Sequence, residues 1–129
     1  MTVRRMIVVL AMAAAGALAV AGVAWATTHP TSTSFGFAKN PDEALGQINF
    51  NTGPQACRQG RRVKLFLKGY RSDHLVGSDR SDGAGQWVIQ RDLRNGRKYY
   101  ARISMKDIGD GDRCAAHRTT PLTFPSGTP

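Results

Sequence analysis

Between Ile48 and Phe124 apolar and polar positions alternate in short runs with a period of two. Ile48 and Phe50 alternate with Gln47, Asn49 and Asn51, and Val63, Leu65 and Leu67 with Lys64, Phe66 and Lys68. His74–Ser78 is a short candidate strand, and Trp87 and Ile89 alternate with Gln86 and Gln90. Tyr99, Ala101, Ile103 and Met105 alternate with Tyr100, Arg102, Ser104 and Lys106, and Leu122 and Phe124 end the series. Successive side chains of a strand point to opposite faces, so each run predicts a half-buried strand. Strands at this spacing predict an all-β fold, a small antiparallel β-sandwich of about seven strands. The expected core is Val63, Leu65, Leu67, Trp87, Ile89, Tyr99, Ala101 and Ile103.

The connections carry turn chemistry. Asp82-Gly83-Ala84-Gly85, Arg94-Asn95-Gly96 and Gly109-Asp110-Gly111-Asp112 place Gly where a positive φ is needed. In the first, Asp82 is expected to accept a backbone N–H, Gly85 to take the left-handed position, and Trp87 to enter the core. Asn40–Leu45 (NPDEAL) hints at one helical turn at most.

The N-terminus has a different pattern. MTVRR is followed by Met6–Ala26 without a charged residue, and Ala24-Trp25-Ala26 supplies the small-x-small motif of a signal-peptidase site. Residues 1–26 are expected to be a signal peptide with a helical apolar region. The alternative is an uncleaved anchor, in which case residues 6–26 would be the only membrane contact. The expected location is secreted, or anchored facing the cell exterior. Residues 27–44, opening on TTHPTSTS, read as a flexible lead-in, 45–125 as the sandwich and 126–129 as a loose tail. Of 129 residues, two are cysteines. Export would place Cys57 and Cys114 where disulfides persist, and closing that loop would stabilise the fold by about 4 kcal/mol.

The order of three segments resembles a known family. Gly60-Arg61-Arg62-Val63-Lys64-Leu65 comes first, then Val76-Gly77-Ser78 leading into Ser81-Asp82-Gly83-Ala84-Gly85-Gln86-Trp87, then Gly96-Arg97-Lys98-Tyr99-Tyr100-Ala101-Arg102-Ile103. This resembles the carboxypeptidase-regulatory or prealbumin-like (transthyretin-like) β-sandwich. The resemblance implies a seven-stranded, typically non-catalytic module with a structural, adhesive or sugar-binding role. It transfers no catalytic residues.

Charge adds one further possibility for function. Removing Arg4 and Arg5 from the 18 basic residues leaves a net charge of +7 against 9 acidic ones. Lys64, Phe66 and Lys68 share one parity, as do Tyr100, Arg102 and Lys106. If these strands are neighbours, one face combines cations with aromatics, the composition of a polyanion platform. Outside a cell its partner would be an anionic surface polymer or carbohydrate, with no specific nucleic acid expected. Because Arg71, Arg80, Arg91, Arg94, Arg97 and Arg118 are dispersed along the chain, a simply solvated face is the preferred expectation.

Other chemistry is expected to be absent. The histidines His29, His74 and His117 lie in separate segments, no serine has a nucleophile-elbow context, and no enzyme is expected. Asp79 and Asp82 could pair as carboxylates but belong to a turn. Asp107, Asp110 and Asp112 could gather around Ca²⁺, yet they lack EF-hand spacing and its terminal Glu, and Arg113 opposes a cation. No metal or other cofactor is expected.

Overall fold

The computed structural model describes residues 26–49 and 53–125, so residues 1–25 of the expected signal peptide, residues 50–52 with Phe50, and the expected tail at 126–129 lie outside the described residues. Eleven strands form three sheets among them. The elements are β1 (Thr28–His29), β2 (Gly36–Ala38), β3 (Glu43–Gln47), β4 (Arg62–Leu67), β5 (His74–Arg80), β6 (Gln86–Gln90), β7 (Lys98–Ile103), β8 (Lys106–Gly109), β9 (Asp112–Cys114), β10 (His117–Arg118) and β11 (Leu122–Thr123). The largest sheet runs β10-β7-β4-β5, with β11 also on β7; β2-β3-β6 is the second and β1-β9-β8 the third. The expected all-β architecture is present, and the count exceeds seven because the chain forms several strands of two or three residues.

The core lies between the first two sheets. Val63, Leu65, Tyr99, Ala101 and Ile103 meet Ala44, Ile48, Trp87 and Ile89, with Leu93 and Phe124 at the margins. Seven of the eight expected core residues are buried, and Leu67 packs against them half-buried. At about 1.5–3 kcal/mol for each fully buried large apolar side chain, this interior is the main source of stability.

Four expectations are corrected. Residues 27–44 are structured. Thr28–His29 pairs in parallel with Arg113–Cys114, and Phe37 packs against Tyr99 and Phe124 with ring centroids 6.1 and 5.2 Å away. Phe35 stacks on Trp87. The stretch is polar on average, but its two phenylalanines are two residues apart and turn to the same core. Second, Asn40–Leu45 is a turn leading into β3 and has no helix. Third, the inward alternation on β7 stops at Ile103. Met105 is exposed, because the chain bends there and restarts as β8 in another sheet.

The fourth concerns the Asp82 turn. Asp82 Oδ1 accepts from the amides of Ala84 and Gln86, Gly85 has φ +85°, and Trp87 is buried, all as expected. Yet β5 and β6 belong to different sheets, so the turn carries the chain across the sandwich instead of closing a hairpin. Gly46, the β3 partner of Trp87, lets the indole lie close against the β3 backbone. A Cβ there would lie 2.1 Å from the Ser34 carbonyl oxygen and 2.6 Å from the Trp87 indole.

Cys57 and Cys114 are fully buried and disulfide-bonded, with Cα atoms 5.5 Å apart. The bridge joins the 3-10 turn Gln55–Cys57 to the end of β9. Next to it is a feature with no counterpart in the sequence reading: Arg61, 1% exposed. Its Nη1 donates to Cys57 O at 2.7 Å and Thr31 Oγ1 at 3.1 Å, and its Nη2 to Ser104 O and Ala115 O, both at 2.9 Å. All four acceptors are neutral. Burial pushes the guanidinium below its ordinary pKa.

Among the described residues no helix is long and apolar enough to cross a membrane.

Candidate functional site

The outward-facing residues of β4 and β7 form the most chemically distinctive surface. Antiparallel pairing places Lys64 opposite Arg102 and Phe66 opposite Tyr100. Since Val63, Leu65, Ala101 and Ile103 between them are fully buried, these four turn outward. The ladder continues beyond the ends of the strand pair, where the Lys68 amide donates to Lys98 O.

The register also recruits residues that are distant in sequence. Arg118 on β10 is the partner of Arg102, and Arg80 on β5 is the partner of Arg62. Cations therefore stand in rows across the strands, Arg118–Arg102–Lys64 in one and Arg62–Arg80 in the next. Lys68 and Lys98 form a third at the far end, beyond the Phe66–Tyr100 row. Adjacent strands are about 4.8 Å apart, so like charges sit side by side. Two of the arginines that looked dispersed along the chain, Arg80 and Arg118, are part of this face.

The two rings are stacked on each other, with centroids 5.3 Å apart and planes 16° from parallel. Arg102 lies 5.4 Å from the Phe66 centroid and Arg118 4.1 Å from that of Tyr100. These cation–π contacts hold the guanidiniums over the rings. Tyr100 is only 3% exposed as a result. The aromatics therefore serve as a bed for arginines, and an open platform for stacking a base is not what this row offers.

Asp73 is the carboxylate that hydrogen-bonds on this face. Its Oδ2 accepts from the Tyr100 hydroxyl and its Oδ1 from the Gly69 amide at 3.0 Å. The Tyr100 hydroxyl, then the Gly69 amide, hold its carboxyl below the ordinary carboxylate range, helped by Lys68 and Arg118. The same hydrogen bond, with burial, raises the Tyr100 hydroxyl above its ordinary value.

Not every sequence candidate joins this face. Lys106 is on β8 in a different sheet, and its Nζ donates to Ala56 O at 2.9 Å and Gln59 O at 2.8 Å. Parity along the chain had grouped it with Tyr100 and Arg102, but the bend after Ile103 breaks that phase. The aspartates Asp107, Asp110 and Asp112 are not gathered either. Asp107 lies 3.8 Å from Arg113, Asp112 accepts from the Thr27 amide, and Asp110 occupies a left-handed turn position with φ 55°. No group of three or more His, Cys, Asp or Glu converges among the described residues.

Asp79 and Asp82 line a shallow depression of about 660 Å³ with Glu43, Leu45, Trp87 and Val88. Both carboxylates are engaged by backbone, Asp79 by the Val88 amide and Asp82 by its own turn. His29, His74 and His117 stand on three separate strands, β1, β5 and β10.

Comparison of the chain with family models, curated proteins and solved structures returns no match.

Proposed function

We propose that this chain is an exported, non-catalytic β-sandwich module that binds an anionic polymer at the cell exterior through the outer face of β4 and β7. The signal-like segment and the buried disulfide support export. The order of the turn and strand motifs supports a module similar to the carboxypeptidase-regulatory or prealbumin-like sandwich.

The observation that carries the binding role is the row Arg118–Arg102–Lys64. A face that only had to remain wet would be served equally well by alternating signs. Like charges directly opposite on neighbouring strands are destabilising, each by a few tenths of a kcal/mol, whereas opposite charges stabilise. Here the unfavourable choice recurs at Lys64/Arg102, Arg102/Arg118 and Arg62/Arg80. A repeating anion laid across the rows would relieve that repulsion and release counterions on binding.

Heparin-affinity chromatography over a salt series tests this. The double variant Lys64→Glu/Arg102→Glu is expected to elute at markedly lower salt than a control with Arg94→Glu/Arg97→Glu, which reverses two loop charges. Equal shifts would mean that net charge alone governs retention, and the localised face would be wrong.

A further inference from the structure

We infer that Tyr70, at the tip of the β4–β5 loop, is a ring-stacking subsite for the polymer bound on the cationic face, which makes that polymer an acidic polysaccharide. This rests on the binding role proposed above and adds the ligand's chemical class.

Tyr70 is 100% exposed, whereas the next most exposed large apolar side chain, Leu75, is at 57%. A tyrosine with its whole ring in water contributes nothing to packing, and the fold does not require it. The loop that carries it is nevertheless tightly held. Asp73, at one end of the loop, closes it by accepting the Gly69 amide with one oxygen and ties it to β7 by accepting the Tyr100 hydroxyl with the other. Gly69 and Ser72 are so close that a Cβ on Gly69 would lie 1.8 Å from Ser72 O. The tip is thus fastened to the same Tyr100 that lies under Arg118.

The location completes the chemistry. Tyr70 stands between Lys68 and Arg71 in the chain, and Lys68 extends the cationic rows at this end. The rings within the face cannot stack on a ligand, since Tyr100 is buried beneath Arg118 and Phe66 carries Arg102. One free ring beside many cations matches an acidic sugar, which offers an apolar C–H face to an aromatic and carboxylate or sulfate groups to Lys and Arg. Single-stranded nucleic acid is held differently, by several aromatics receiving successive bases.

The test compares Tyr70→Ala and Tyr70→Phe with the parent chain on three probes: a heparin oligosaccharide, inorganic polyphosphate and oligothymidylate. Tyr70→Ala is expected to weaken heparin binding about tenfold and to leave polyphosphate binding within about twofold, the size of effect one aromatic contact supplies. Tyr70→Phe should bind heparin like the parent, because the ring is kept. Thermal melting should be unchanged in both variants, since the side chain packs against nothing. No loss on heparin, an equal loss on polyphosphate, or a loss confined to oligothymidylate would overturn the assignment. Lys64→Glu/Arg102→Glu separates the two levels. If it weakens heparin and polyphosphate binding while Tyr70→Ala has no effect, only the stacking subsite fails. If it weakens neither, the cationic face itself fails.

Discussion

Arg61 donates from Nη1 to the carbonyl oxygen of Cys57 at 2.7 Å, so a buried cation is fastened to the backbone of a disulfide-bonded cysteine. The same guanidinium reaches Ser104 and Ala115 through Nη2 and Thr31 through Nη1. It thereby connects the 3-10 turn before β4, the bend after β7, the segment after β9 and the N-terminal segment. Removing it would take the donor from one buried carbonyl, Cys57, and two part-buried ones, Ser104 and Ala115, whereas its burial without a carboxylate is offset only by these hydrogen bonds.

Arg61→Met is accordingly expected to lower unfolding stability by roughly 3 kcal/mol, with Arg61→Lys recovering less than half of it. A single ammonium cannot reach acceptors on both sides of the planar fork. Urea denaturation under non-reducing conditions would measure this, and a loss below about 1 kcal/mol would show that the carbonyls find water instead.

Lys64→Glu is expected to move stability and binding in opposite directions. It replaces a like-charged pair with Arg102 by an oppositely charged one, which should stabilise the fold by about 0.5 kcal/mol. The same change removes a cation from the central row and should weaken heparin retention. Melting temperature and elution salt, taken on one preparation, check both. A variant that is less stable would contradict the cost assigned to the cationic rows.

The Asp73–Tyr100 pair predicts two pH limits. The Asp73 carboxyl is held below its ordinary value, mainly by the Tyr100 hydroxyl, so its stabilising contribution is complete above the unfolded carboxylate pKa and is lost as pH falls through the lowered folded value. The Tyr100 hydroxyl is raised, mainly by Asp73, so its contribution is complete below the unfolded phenol pKa and is lost as pH rises through the raised value. Stability against pH should therefore fall at both extremes, and Asp73→Asn should flatten both limbs. A variant whose acid and alkaline limbs match those of the parent would show that the pair does not titrate as a unit.

Several elements were legible along the chain because they are local. Val63/Leu65 and Ala101/Ile103 alternate with outward residues, and the strand period alone turns them inward. The Asp82–Gly85 turn follows from the geometry of its residues, and parity along the chain groups Lys64 with Phe66 and Tyr100 with Arg102. Parity does not carry to Lys106, because it persists only while a strand continues. Phe35 and Phe37 give no comparable signal, because two apolar positions are too few to stand out from the polar stretch around them. Arg61 gives no signal, since its burial depends on carbonyls of two distant segments, at Ser104 and Ala115, as well as on that of nearby Cys57.

Strand period and turn positions can be read along the chain, because each depends on neighbours within a few residues, and the cysteines can be paired because Cys57 and Cys114 are the only two. That β5 and β6 lie in different sheets, and that Arg118 and Arg80, remote in the chain, extend the rows through Lys64–Arg102 and Arg62, emerges only from the folded arrangement. Cross-strand register sets those distances, and register results from the mutual fit of buried faces that no local pattern contains.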